Sequence, residues 1–193
     1  KDKPISLDAV KKNFEDVFKK IWEKEIENDG FNQLVLYAHL SGREVMILRA
    51  YAKYLWQAGF NFSQDHLEET FNANPSLAAL LIHLFKTRFE PGRSHRELDL
   101  EAQREMIEKN IDCVKNINED RVIRRYLQII LATIRTNYYQ VDEQGLSKKH
   151  FSFKLKSSDV PELPLPVPLY EIFVYTARME GIHLRAAKVS RGG

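Results

Sequence analysis

Cysteine is almost missing from this chain of 193 residues: Cys113 stands alone, so no internal disulfide can form and no second thiolate exists to build a zinc site. A reducing compartment is the default for such a chain, and a cytoplasmic location is expected. Long apolar runs are lacking too. No stretch reaches the roughly eighteen apolar residues that a bilayer-crossing helix needs, and the opening "KDKPISLDAVKKNF" has no signal-peptide core, so no membrane partner is expected. An excess of one charge is absent as well: 29 Lys and Arg against 27 Asp and Glu leave a net +2. That is too little to hold nucleic acid over the whole surface, and no nucleic-acid partner is expected. The first residue is not Met, and the last run, "MEGIHLRAAKVSRGG", ends on an Arg and two glycines. Both ends are expected to lie inside a longer chain.

With 44% apolar and 29% charged residues, the composition is that of a folded globular protein. Apolar residues recur at helical spacing over residues 7–26, with Ser6 as N-cap and Gly30 as stop. After the short run "FNQLVLYAHL", Ser41 and Glu44 form a capping box for a helix that halts at Gly59. Ser63 and Pro75 open two further helices, the second closed by Pro91 and Gly92. Leu100, Ile107, Ile111, Val114 and Ile117 mark another, and "VIRRYLQIILATIRTNYY" reads as a buried central helix. Beyond Tyr139 the pattern changes. "HFSFKL" alternates like a strand, and four of the seven prolines crowd residues 161–168. Residues 171–176 and 182–189 then read as a hairpin turning near Glu180 and Gly181. The expected fold is mainly α: a multi-helix bundle over residues 1–140, a proline-rich extended spacer over 141–169, and a β-hairpin or small sheet over 170–193. A lone hairpin is marginal in water, so these strands need either the helices or more sheet.

Residues able to carry chemistry are few. The six histidines, His39, His66, His83, His95, His150 and His183, include no metal-binding i, i+4 pair with a neighbouring Glu, and no metal site is expected. Cys113 is expected to be a small hydrophobe inside a helix. The carboxylates of "HLEE" and "ENDG" are expected on solvated faces, and Tyr37, Tyr51, Tyr54, Trp56, Phe60 and Phe62 in the core. No catalytic residue is expected. The last quarter is basic, since from Leu146 onward eight Lys and Arg face four carboxylates. By itself "KVSRGG" reads as a tight turn with a solvated Arg, although paired glycines also let a backbone approach a ligand closely.

Four stretches together shift that balance. "LSGREVMILRAYAKYLWQAGF", "NPSLAALLIHLFKTRFEPG", "RRYLQIILATIRTNYYQ" and "FSFKLKSSDVPELPLPVPLYEIFVYTARMEGIHLRAAKVSRGG" resemble the large NAD-dependent glutamate dehydrogenases of bacteria. The resemblance covers most of the chain after about residue 34. It implies that the last segment enters the catalytic domain and that Arg191, Gly192 and Gly193 are substrate-binding, with the guanidinium gripping a carboxylate of glutamate. Where the family tends to show two glycines, this chain has Ala186 and Ala187, while Lys188 keeps its match. The implied reaction is oxidative deamination of L-glutamate to 2-oxoglutarate and ammonia, with hydride passing to NAD in a full-length homo-oligomeric enzyme. The present chain is expected to be inactive and to bind no cofactor, because the catalytic Lys and a Gly-rich dinucleotide turn fall outside it. The competing reading is an autonomous helical interaction module with a basic C-terminal arm.

Overall fold

Residues 7–94 and 96–187 are described by the structure, a computed structural model. The first helix, α1 (Leu7–Trp22), stops four residues before the apolar spacing does. Lys24 takes φ +57°, which turns the chain out of the helix, and Ile26 N returns to Lys20 O at 3.3 Å, so Ile26 is buried from outside it. A 3₁₀ turn (Gly30–Gln33) and a single turn of helix, α2 (Leu34–Tyr37), come after it.

Five longer helices come next: α3 (Gly42–Gln57), α4 (Gln64–Ala73), α5 (Pro75–Phe89), α6 (Arg96–Ile111) and α7 (Ile117–Ala132). The capping box of Ser41 and Glu44 is complete. Glu44 also pairs with Lys86 at 2.7 Å; although burial opposes ionisation, that ammonium and the Ser41 donors hold its carboxyl below the usual range. Gly42 is required by packing, since a Cβ there would fall 2.6 Å from Val17 Cγ2 on α1. The most enclosed helix is α3, with 11 of 16 residues buried against 8 of 16 in α7.

Two sequence expectations change here. The periodicity that ran through Val114 and Ile117 is broken, because α6 ends at Ile111 and Asn116 caps α7 through the amides of Asn118 and Glu119. Cys113 therefore lies beyond α6 and is exposed, not packed inside a helix. The run read as one helix to Tyr139 ends at Ala132. Thr133 leaves with extended backbone angles, its hydroxyl bonding back to Ile129 O at 2.7 Å, and Thr133, Ile134 and Thr136 are β-branched residues that favour a strand. Arg88 takes up the orphaned helix-end carbonyls, donating to Leu131 O at 2.8 Å and Thr133 O at 3.1 Å.

The chain then builds one antiparallel sheet in sequential order: β1 (Thr133–Thr136), β2 (Phe151–Lys156), β3 (Tyr170–Thr176) and β4 (Met179–Arg185). The hairpin turns at Ala177 and Arg178, with Thr176 paired to Met179, and not at Glu180 and Gly181. The Thr176 hydroxyl explains the shift: it accepts from the amides of Arg178 and Met179, while Gly181 sits within β4 opposite Val174. Phe151, Phe153 and Leu155 of β2 and Glu171, Phe173 and Tyr175 of β3 face inward and are buried. The proline-rich stretch is tied down at its start, where Arg125 of α7 donates to Pro161 O at 2.6 Å and pairs with Glu162.

Candidate functional site

Helix α3 is joined to each strand of the sheet in turn. Tyr51 hydrogen-bonds Thr133 Oγ1 on β1 at 2.9 Å and stacks on Phe153 of β2 with ring centroids 4.5 Å apart. Three residues on, the Tyr54 hydroxyl donates to the Glu171 carboxylate on β3, and its ring meets Phe173 edge-on at 5.7 Å. Three further on, Gln57 Nε2 donates to Glu180 Oε1 on β4 at 2.8 Å. The spacing has a geometric cause. Three helical residues rise about 4.5 Å, close to the separation of neighbouring strands at about 4.8 Å, so one helix face running across the sheet meets successive strands. Burial raises the Tyr51 and Tyr54 phenols well above the usual tyrosine range, and the Glu171 carboxylate adds to the rise at Tyr54.

Two residues before Tyr51 on the same helix, Arg49 is fully buried. Its guanidinium grips Asp29 through two bonds, Nε to Oδ2 at 2.6 Å and Nη2 to Oδ1 at 2.7 Å, and reaches Asn32 Oδ1 at 2.8 Å. Asp29 simultaneously caps the 3₁₀ turn by accepting from Phe31 N at 3.1 Å. Gln64 of α4 donates to Asp29 Oδ2 at 3.3 Å and to Glu68 Oε1 at 2.7 Å, and Glu68 Oε2 accepts from Gly30 N at 3.0 Å. Glu27 joins the edge, 3.6 Å from Arg49 and 3.8 Å from Lys53. Burial raises the carboxyls of Glu27 and Glu68, while Lys53 and Arg49 act the other way on Glu27. For Arg49, burial is outweighed by the bonds and charge of Asp29, so its affinity for the proton rises. Tyr175 of β3 faces this cluster, its phenol pushed up by burial and drawn back by Arg49.

This network corrects part of the expectation that "ENDG" and "HLEE" lie on solvated faces: Glu69 is exposed, but Glu68 is buried and the Asp29 side chain is only 11% exposed. The sequence signal was the Asp29-Gly30 pair before a short turn, whose capping need was legible, but its partner is 20 residues away. Chemically the cluster holds no nucleophile, and its cation is matched by a carboxylate in bidentate geometry. Its action is positional, fastening the 3₁₀ turn, α3 and α4 beside β3. Of the aromatics expected inside, Tyr51, Tyr54 and Phe60 are buried, whereas Tyr37 and Trp56 are exposed.

The expected substrate residues Arg191, Gly192 and Gly193, with Lys188, lie outside the described residues. The chain reaches them from β4, whose last residue, Arg185, donates from Nε to Ala187 O at 3.2 Å. Ala186 and Ala187 are exposed. Of the histidines, His95 is outside the described residues, and no group of three His, Cys, Asp or Glu able to hold a metal occurs among those described. No strand among the described residues runs through a glycine turn into an α-helix, which is the arrangement that places amides around a pyrophosphate.

Two families match the chain. Residues 26–91 match glutamate dehydrogenase, helical motif 3, and residues 106–193 match the bacterial NAD-glutamate dehydrogenase catalytic domain. The first runs from Ile26 through α5, and the second from the latter half of α6 through the sheet. The chain is 46% identical to an NAD-specific glutamate dehydrogenase of Pseudomonas aeruginosa and 44% to one of Halomonas elongata, in each case over 98% of its length. It is 40% identical, over 96% of its length, to one of Mycobacterium tuberculosis. It spans about 12% of the length of these curated relatives. The chain belongs to the bacterial NAD-dependent glutamate dehydrogenase family, as one segment of such a polypeptide.

Proposed function

We propose that the polypeptide carrying this segment oxidises L-glutamate to 2-oxoglutarate and ammonia with NAD, in the cytoplasm and as a homo-oligomer. The segment joins a helical portion to the opening strands of the substrate domain. Arg191, followed by Gly192 and Gly193, binds one carboxylate of glutamate through paired guanidinium hydrogen bonds, and the glycines let the substrate approach the backbone. NAD and the groups that move protons belong to other parts of the polypeptide. The observation that carries this reading is the 46% identity over nearly the whole chain to an NAD-specific glutamate dehydrogenase. The α3 contacts to all four strands add a physical reason for the helices: they hold the hairpin from which Arg191 extends.

The test is Arg191→Ala in the full-length protein, assayed by glutamate-dependent NADH formation. Losing a charge-assisted pair of bonds should raise KM for glutamate by about tenfold or more, with KM for NAD unchanged. Arg191→Lys should recover part of the loss. An unchanged KM for glutamate would remove Arg191 from the site, and absence of glutamate-dependent NADH formation in the parent protein would overturn the assignment of activity.

A further inference from the structure

A cleft of about 480 Å³ lies where the end of α5, the start of α6 and β1 converge, walled by Arg88, Phe89, Arg96, Leu100, Ile134 and Arg135. Three arginines line it, and among the described residues none of the three forms an ion pair with a carboxylate. Arg88 donates to the Leu131 and Thr133 carbonyls, and burial lowers its affinity for the proton, with Tyr51 acting the other way. Arg96 Nη2 donates to the Glu90 carbonyl, and its buried Nε has no acceptor among the described residues. Arg135 is exposed, and among the described residues no hydrogen bond or ion pair engages its guanidinium. One carboxylate, Glu97, also borders the cleft, so the positive charge exceeds the negative three to one.

Elsewhere in the fold Arg49 is matched by Asp29, Arg93 by Glu90 and Asp99, and Arg125 by Glu162, while half-buried Arg43 spends two donors on the Lys148 and Tyr138 carbonyls. A desolvated guanidinium without a counterion is costly, and here one such group shares a cleft with two more arginines, one of which has a buried N–H without an acceptor among the described residues. We propose that this cleft binds a small organic oxyanion, a carboxylate or a phosphate ester, with its anionic head between Arg96 and Arg135. The volume falls within the range of small-molecule sites, and Phe89, Leu100 and Ile134 supply apolar surface for the body of the ligand. Arginine suits the task because its planar fork matches both carboxylate and phosphate oxygens.

Phenyl phosphate, benzoate and inorganic phosphate serve as probes, titrated calorimetrically at low salt into the full-length polypeptide and, in parallel, into the 193-residue chain. Arg135→Gln and Arg96→Gln are the variants, with Arg88 left intact because it closes the end of α7. Phenyl phosphate or benzoate should bind more tightly than inorganic phosphate, and the stronger of the two identifies the head group. Each variant should weaken that binding about tenfold, the effect of removing one charge-assisted contact. Arg135→Gln, at an exposed side chain, should leave the melting temperature unchanged, which separates lost binding from lost folding. Failure of all three probes to bind the full-length polypeptide at millimolar concentration, or equal affinity in the wild type and both variants, would overturn the proposal.

Discussion

Raising the pH should unfold this chain over a narrow interval, because five of its eight tyrosines are buried where a phenolate is not tolerated. Tyr51 and Tyr54 of α3, Tyr126 of α7 and Tyr175 of β3 all have phenols raised by burial beyond the usual range, and Tyr138 after β1 is pushed up to about 12. A tyrosine in the unfolded chain ionises near pH 10, so above that value the native state binds more protons than the unfolded one and stability falls with pH. The sign is that of a raised folded pKa: the contribution is complete below about pH 10 and is lost as the pH climbs toward the folded value. At pH 11 each such group costs about 1.4 kcal/mol, and the five together about 7 kcal/mol. Since a domain is stable by roughly 5–15 kcal/mol, the midpoint should fall near pH 11. Far-UV circular dichroism and tyrosinate absorbance, tracked together against pH, check this: the two signals should change in one step. Tyr126→Phe, which gives up only a bond to Leu48 O at 3.2 Å, should make the transition shallower by about one proton. Tyrosinate absorbance rising smoothly about pH 10 with the helix signal intact would refute the burial argument.

Helices were legible in the sequence wherever a cap and an apolar period agreed, as at Ser41 with Glu44 and at Ser63. They were misjudged where the period continued past a change in backbone. Ile134 falls in phase with Ile130, yet it belongs to β1, because Thr133 ends α7 by bonding Ile129 O and Arg88 arrives from 45 residues away to take the Thr133 carbonyl. Nothing local announces that arrival. The hairpin turn was misplaced for a related reason: Gly181 is the expected turn residue, but a threonine hydroxyl closes the turn before the chain reaches Glu180 and Gly181. The small sheet itself was legible from alternation, but its attachment to α3 was not, since Tyr51, Tyr54 and Gln57 read as ordinary core and surface positions until their rise is set beside the strand spacing. The same holds for the site. The Arg-Gly-Gly ending could be tied to substrate only through family resemblance, and the charged residues that the fold buries, Asp29, Arg49 and Glu68, are in sequence indistinguishable from solvated ones.

Tyr54→Phe should leave the Glu171 carboxylate, 5% exposed, without its donor, a loss of about 1–3 kcal/mol that a thermal melt would read as about 2–4 °C per kcal/mol; an unchanged melting temperature would mean that the α3 to β3 link carries no stability. Glu27, whose carboxyl is raised by burial, contributes stability below pH 4.5 that is lost as the pH rises through its folded value, so Glu27→Gln should flatten the fall of stability between mildly acid and neutral pH. A slope left as steep as in the wild type would exclude Glu27 as its source. The Arg49 and Asp29 pair allows a sharper test, because its two members are held by more than each other. Arg49→Met should strand the Asp29 carboxylate, 11% exposed, beside an apolar side chain, at a cost of about 3–5 kcal/mol. Asp29→Asn should cost less, since an amide oxygen can still accept from Phe31 N and Glu27 stays 3.6 Å from the guanidinium, which loses only its bidentate partner. In the double variant neither charge is stranded, so its loss in urea denaturation should be smaller than the sum of the single losses by about 1–3 kcal/mol. Strict additivity would mean that the two side chains are stabilised by their other partners, Asn32, Gln64 and the 3₁₀ turn, and that the bidentate contact is a consequence of the packing and not a cause of it.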